Sequence, residues 1–355
     1  MNKLALDGLY PPPYGGVSVH IKRFISVLEE KNIPYTFFYS STSKHFRKNF
    51  ITCSYLKKLL FLFFGPYSLI HTHTQGFRHR LILPFIRIAG KKVILTLHSE
   101  TMPLQYVRSR NILKKFYFFQ LKKYDHIIVV NTHLKNKLIE RGINSKKISV
   151  IPAFILPTAD EYSPDNLPKK IIELREKTNF LITANSYKIT LVDNQDLYGI
   201  DICIELTKRL VDHGFENFVF LFVIPDIGNF RYFYELKNLI MRYNLQDKFY
   251  FYTEPVNYTA VLHISDLFIR PTLQDGYGVS VTEALYLSVP ALASNVCPRA
   301  EGTTVFQSRN CNDLFTKAVY IIENYEEHKN RLKSIKYINY ADNILNVYDM
   351  LLNKK

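Results

Sequence analysis

The sequence predicts an α/β protein built from two Rossmann-like domains, each a parallel sheet flanked by helices. Three observations carry this reading. The 355 residues exceed what one hydrophobic core usually accommodates. Short apolar runs of strand type alternate with segments of helical periodicity along the chain. Residues 152–168, PAFILPTADEYSPDNLP, hold four prolines and read as a linker between two such alternations. The expected division is a first domain over 1–165, a second over 166–335, and a terminal helical segment over 336–355.

The first domain opens with a strand over residues 3–7. The loop LYPPPYGG follows, dictated by proline and glycine. Val17, Ile21, Phe24, Ile25 and Leu28 then recur at helical spacing, so a helix begins at Gly15-Gly16. A glycine pair at a helix start offers unpaired amides to an anion, although such pairs also mark ordinary loops. Phe37-Phe38 belongs to a second strand, and residues 68–72 to another. His71 and His73, two apart on that strand, suit metal ligation in type, but no third ligand cluster is visible, so they read as structural or cleft-lining. Residues 77–89 read as helix and Val93 to Leu97 as a buried strand. His98 follows at the strand's C-terminal end, with Ser99 and Glu100, where doubly wound sheets bind ligands. A strand at Ile127 to Val130, a helix over 132–141 and a strand at Ile148 to Ile151 complete the domain.

The second domain repeats the alternation. Phe180 to Ala184 is its first strand, and Tyr198-Gly199-Ile200-Asp201 begins a helix continued by Ile204, Leu206 and Leu210. Further strands are expected at Phe218 to Val223, Phe249 to Tyr252 and Leu267 to Ile269. A last helix, Ile338 to Leu352, has an apolar face of Ile344, Leu345, Val347, Tyr348, Leu351 and Leu352.

The chemistry concentrates at LFIRPTLQDGYGVSVTEALYLSVPALASNVCPRAE, which reads as strand, loop, helix and strand. In its loop, Gly276 and Gly278 let backbone amides approach a ligand, and the helix start behind them carries a positive dipole end. That suits phosphate. Asp275 in the loop and Glu283 in the helix bracket it, and carboxylates accept hydrogen bonds from hydroxyls. Phosphate beside hydroxyl acceptors points to a sugar nucleotide.

This string resembles the donor site of the retaining glycosyltransferases of family 4: an acid in a Gly-rich loop, seven residues, Glu-Ala-Leu, then a small-residue strand after proline. The resemblance implies the GT-B fold, two Rossmann-like domains with parallel sheets facing across a cleft. It implies that Asp275 meets the transferred sugar, Glu283 the ribose hydroxyls, and the amides of Gly276, Tyr277 and Gly278 the donor. The Gly15-Gly16 loop would face the donor, His98 would meet its sugar, and the terminal helix would cross back to the first domain. The family's commonest first acid is Glu; Asp275 is shorter. The usual diphosphate-binding Arg and Lys are also replaced: the corresponding regions read ANSYKIT and DLYGID, with Tyr198 where Lys is expected. Diphosphate needs positive charge, and Lys188, Arg270 and Arg299 are the candidate substitutes.

The reaction so implied is transfer of a hexosyl group from a nucleotide-sugar to a hydroxyl, with retention and with no protein nucleophile. No DxD motif is seen at a strand end, so neither a metal nor a cofactor is expected beyond the nucleotide-sugar co-substrate. Net charge sharpens the acceptor. Residues 1–165 hold 25 Lys and Arg against 9 Asp and Glu, or +16, whereas 166–355 hold 21 against 22, or −1. A single-sign surface suits an anionic partner. Residues 44–64 and 106–124 interleave basic with aromatic and aliphatic side chains, as amphipathic segments at an anionic membrane surface do. A glycan or polyprenyl-diphosphate-linked acceptor in bacterial surface polysaccharide assembly fits, on a cytoplasmic protein peripheral to the inner membrane face.

Other classes fit less well. Basic charge and aromatics suit nucleic acid, but no helix-turn-helix, zinc-finger or RNP-type string is present. A GT-B epimerase or phosphorylase is a second alternative, without a lysine motif for pyridoxal chemistry. Four cysteines without CxxC spacing fit a reducing compartment. MNKLALDGLYPPP lacks the apolar core of a signal peptide.

Overall fold

The computed structural model describes residues 3–12, 14–39, 47–73, 76–98 and 111–353, the side chains of 111–114 excepted. Ser99, Glu100 and the segments 44–46 and 106–110 of the two basic stretches lie outside these residues. The chain forms two units: Met1–Ile155 with Asn339–Lys355, and Leu156–Ile338.

The first unit is a parallel sheet of seven strands: β1 (Leu4–Gly8), β2 (Tyr35–Tyr39), β3 (Phe50–Ile51), β4 (Leu69–Thr72), β5 (Lys92–Leu97), β6 (His126–Val129) and β7 (Ile148–Val150). Their order is β3-β2-β1-β4-β5-β6-β7, so the winding reverses between β1 and β4. Alternation along the strands sorts side chains to two faces. Leu4, Leu6, Phe37 and Ile94 pack with Ile21, Phe24 and Leu28 of the helix Gly16–Glu30. Ala5, Phe38, Val93 and Leu95 pack with Leu62, Ile86 and Tyr117 on the other face. Both faces are covered, which is why these strands are nearly uniform in apolarity.

The terminal helix, Ala341–Leu352, belongs to this unit. Its Ile344, Val347, Tyr348 and Leu351 join the core beneath Gly16–Glu30. It begins three residues after the expected Ile338, where the Asn339 side chain accepts from the Ala341 amide at 3.2 Å.

The second unit has six parallel strands, β8 (Phe180–Asn185), β11 (Phe218–Val223), β12 (Phe249–Tyr252), β13 (Leu267–Arg270), β14 (Ala291–Ser294) and β15 (Thr304–Phe306), plus the ribbon of β9 (Leu191–Val192) and β10 (Gln195–Asp196). The sheet order is β12-β11-β8-β13-β14-β15, with its reversal between β8 and β13. Ile182, Phe220, Phe222, Leu267 and Ile269 pack with the helix Ile200–Asp212. Ala291 and Ala293 are small, and Val281, Ala284 and Leu285 of the helix Val279–Tyr286 close against them.

Three differences from expectation have local causes. The boundary falls at Ile155 rather than 165. The turns Ala159–Tyr162 and Pro164–Asn166 give residues 156–166 a fixed place in the second unit, where the Asn257 side chain donates to the Glu161 carbonyl. The helical stretch 77–89 is an α-helix, Phe77–Ile82, continued as a 3-10 helix, Leu83–Ala89. Pro84 has no amide to continue the first pattern. Within 44–64, β3 precedes a separate helix, Tyr55–Phe64. Its Lys58 turns inward, 2.7 Å from buried Asp7, which also accepts from Thr72 at 2.8 Å.

Candidate active site

Strand β13 ends at Arg270, at the reversal of its sheet, and its guanidinium reaches across to β8, donating to the Asn185 carbonyl at 3.2 Å. On its other side Arg270 Nε donates to Asp275 Oδ2 at 3.0 Å. Arg299 Nη1 donates to the same oxygen at 2.9 Å. One carboxylate therefore lies between two guanidinium groups. Arg299 is itself held by the Ser294 carbonyl at 3.0 Å, and its side chain is only 2% exposed. Burial alone would push the Asp275 carboxyl up; Arg270 and then Arg299 more than reverse this and hold it well below the usual carboxylate range.

The loop turns at Gly278, whose φ of +71° is the left-handed cap of the helix Val279–Tyr286. A Cβ there would lie 2.5 Å from Arg299 Nη1 and 3.1 Å from Asp275 Oδ2. The glycine thus lets the backbone sit directly on the ion-paired cluster. The Gly276 amide donates to Asp275 Oδ1 at 3.0 Å. No acid lies in the first turn of this helix, and its N-terminus has no side-chain cap. Two guanidinium groups beside a helix start offer the donors and positive charge that suit phosphate. Glu283 is buried on the same helix, and Tyr277 is half-buried in the loop. Tyr258 is buried next to both chemistries: burial pushes its phenol up, and it feels the charges of Arg270 and Glu283.

A second helix start in this unit, also led by a glycine, differs. Gly199, at φ +66°, precedes Ile200–Asp212. Asp196 occupies its amides, accepting from Tyr198 N and Ile200 N at 2.9 Å each. Burial, then neighbouring Asp201, pushes the Asp196 carboxyl up to about 6 against those amide bonds. Asp201 is paired with Arg309 at 2.8 Å. Tyr198, standing where Lys was expected, lies under Arg270, whose guanidinium carbon is 5.4 Å from its ring centre. Tyr198 and Arg270 lie 72 residues apart in the sequence and meet only in the fold. Lys188 is committed elsewhere: it pairs with Asp226 at 3.4 Å, and its stem fills the space over Gly228.

Gly15, Gly16 and His98 belong to the first unit. Gly15 is extended and caps Gly16–Glu30 through Ser18, whose hydroxyl receives the Gly15 amide at 3.0 Å. A Cβ at either glycine would meet nothing within 4 Å, so the unit's own packing does not require them. His98 does not stand alone. His73 Nδ1 lies 2.9 Å from His98 Nε2, and the His20 ring centre is 4.9 Å from that of His98. The sequence shows no third ligand beside His71 and His73; the fold brings His20 from a helix and His98 from just past β5 to His73. His71 itself is spent on the core, between Tyr348 and Thr96. Burial keeps these imidazoles neutral. It lowers His20 to about 4, and lowers His73 and His98, with help from their neighbours, well below the ordinary value.

Residues 14–157 match the family model for Glycosyltransferase Family 4, and residues 169–335 that for Glycosyl transferases group 1. A search of curated proteins finds no significant match. Among solved structures, the chain is similar to a glycosyltransferase from Rickettsia africae ESF-5, at 17% identity and a TM-score of 0.69, covering 100% of both chains. It is similar to Anabaena Alr3699/HepE in complex with UDP, at 16% identity and a TM-score of 0.71, again over 100% of both. WaaG, a glycosyltransferase involved in lipopolysaccharide biosynthesis, matches at 13% identity and a TM-score of 0.69, over 98% of this chain and 99% of WaaG. Identities this low speak for the fold. The family models match the sequence of each unit, and on both grounds the chain belongs to the family 4 glycosyltransferases, with the GT-B fold.

Proposed function

We propose that the protein transfers a hexosyl group from a nucleotide-sugar to a hydroxyl of a glycan or polyprenyl-diphosphate-linked acceptor, with retention at the anomeric carbon. The observation that carries this is the Arg270–Asp275–Arg299 cluster seated on the turn at Gly278. Arg270, steadied by Tyr198, and Arg299 take the part of the absent Arg and Lys and face the donor diphosphate. The amides of Gly276, Tyr277 and Gly278 complete that cradle, Glu283 accepts from the ribose hydroxyls, and Asp275 accepts from the sugar.

In the transfer, the bond from the anomeric carbon to the diphosphate oxygen breaks. A bond to the acceptor oxygen forms on the same face, and the acceptor proton passes to the leaving diphosphate. The protein contributes positioning and stabilisation of charge developing on that diphosphate. No metal and no protein nucleophile take part. HepE binds UDP and UDP-glucose, which supports UDP-sugars as the first donors to try.

The basic first unit supports a role at the inner membrane face. Leu56, Leu60, Phe61 and Phe64 of Tyr55–Phe64 are exposed, as are Phe85 and Ile88 of Leu83–Ala89 and Phe116 and Phe119 of Asn111–Leu121. Lys123 lies over the rings of both Phe85 and Phe119, at 5.2 and 4.5 Å, so two of these elements share one apolar face with a basic rim. Among the described residues no helix is long and apolar enough to cross a membrane. A lipid-linked acceptor of surface polysaccharide assembly fits this face; WaaG is a glycosyltransferase involved in lipopolysaccharide biosynthesis.

The test is thermal-shift screening of the protein against UDP-, GDP- and TDP-sugars, since a ligand of the native state raises its apparent stability. One donor should shift the transition, and Glu283→Ala should abolish turnover of that donor while remaining folded. Full activity of Glu283→Ala would remove the reading.

A further inference from the structure

We infer that His20, His73 and His98 form a binding site for a single divalent transition ion of the zinc class at the C-terminal edge of the first sheet. The three imidazoles arrive from the helix Gly16–Glu30, the residue after β4 and the residue after β5, and one nitrogen from each lies within 4.8 Å of the others.

The His20 ring is fixed with one nitrogen free to coordinate. His20 Nδ1 donates to the Ala153 carbonyl at 2.9 Å, which places the proton there and leaves Nε2 with its lone pair. Histidine ligands are commonly fixed in this way, with the second nitrogen bound to a carbonyl. Among the described residues His20 Nε2 is buried and meets no hydrogen-bond partner, a costly state for an uncoordinated group. His20 and His73 are each 2% exposed, whereas His98 is part-exposed, so the cluster is walled on the sheet side and open at His98. Three protein nitrogens with one open position is the ligand set of a zinc ion that also holds water or a solute.

Neighbouring His71 does not compete, because both of its nitrogens are engaged, with Tyr348 and Thr96. The His73 Nδ1 to His98 Nε2 contact is a proton-bridged pair without metal. The ion takes the place of that proton, which shifts to the other nitrogen of its own ring, so both rings bind as neutral imidazoles. Among the described residues no acid joins the cluster, so hard, oxygen-preferring Mg2+ and Ca2+ are poor candidates. The existence of this site does not depend on the transfer step.

The full-length protein, stripped with chelator and without sugar nucleotide, is titrated with Zn2+ by calorimetry and with Co2+ by visible absorption. One equivalent should bind, the cobalt form should show the intense bands of a four-coordinate ion, and Mg2+ should give neither signal. His20→Ala and His73→Ala should each weaken Zn2+ at least tenfold. His73→Gln and His20→Asn, with folding confirmed by circular dichroism, guard against a collapsed variant. His263→Ala, in the other unit, should bind as the wild type does. Absence of binding, or binding unchanged in folded His20 and His73 variants, would overturn the assignment.

Discussion

Asp275 keeps its charge in a buried place because two arginines converge on it, and the same convergence makes the place attractive to phosphate. The arginines are 5 and 24 residues away along the chain, so only the fold reveals the arrangement. Asp275, Gly276, Gly278 and Glu283 were legible in the sequence because one local string carries them. The partnership of Tyr198 with Arg270, and the commitment of Lys188 to Asp226, were not, since each joins distant strand ends. Asp196 titrates in the opposite sense to Asp275. Its folded value, about 6, lies above the ordinary 3.8, so its contribution to stability is complete below pH 4 and is lost as pH rises through 6. Urea unfolding of wild type and Asp196→Asn across this window should differ by an amount that changes by about 3 kcal/mol, with the wild type losing ground as pH rises. A constant difference would mean that Asp196 ionises as a solvated carboxylate does.

Helices and strands follow from periodicity, but their ends follow from particular residues. Pro84 converts the end of one predicted helix to 3-10 geometry. Asp193 and Asn194, both at positive φ, turn the ribbon of β9 and β10, two strands of two residues each, too short to show a periodicity. The glycines at two helix starts separate by role. Gly278 is bound to the left-handed region and to the guanidinium behind it, whereas Gly16 stands in open space. Gly278→Ala should therefore cost about 1–2 kcal/mol in strain, with a further loss as Arg299 moves off Asp275, read by chemical denaturation. Gly16→Ala should remain within about 1 kcal/mol of wild type. Equal stability of the two variants would contradict this account of the loop.

At the scale of the whole molecule, charge and apolar exposure coincide. The first 165 residues carry +16 of the net +15, and the exposed Phe64, Phe85, Ile88 and Phe119 lie in the same unit. The asymmetry was plain in the sequence. Which residues face outward was not, because Lys58 looks like part of a basic rim and is instead buried on Asp7. Flotation with vesicles should show binding to phosphatidylglycerol-containing membranes and little to phosphatidylcholine alone, weakened several-fold by Phe64→Ser with Ile88→Ser and by added salt. Equal flotation with both lipids, or none, would remove the membrane from the account. The two-unit architecture was legible from the repeated alternation; the histidine cluster was not, because three separate elements assemble it.

The most direct measurement is a calorimetric titration of wild type and Glu283→Gln with the donor that the screen selects. A hydrogen bond to a charged group contributes about 1.5–3 kcal/mol, so Glu283→Gln, with its melting transition intact, should bind that nucleotide-sugar at least tenfold more weakly. Equal affinity in the two proteins, or no binding of any nucleotide-sugar to the wild type, would contradict the claim that the turn at Gly278 and the helix behind it hold the donor.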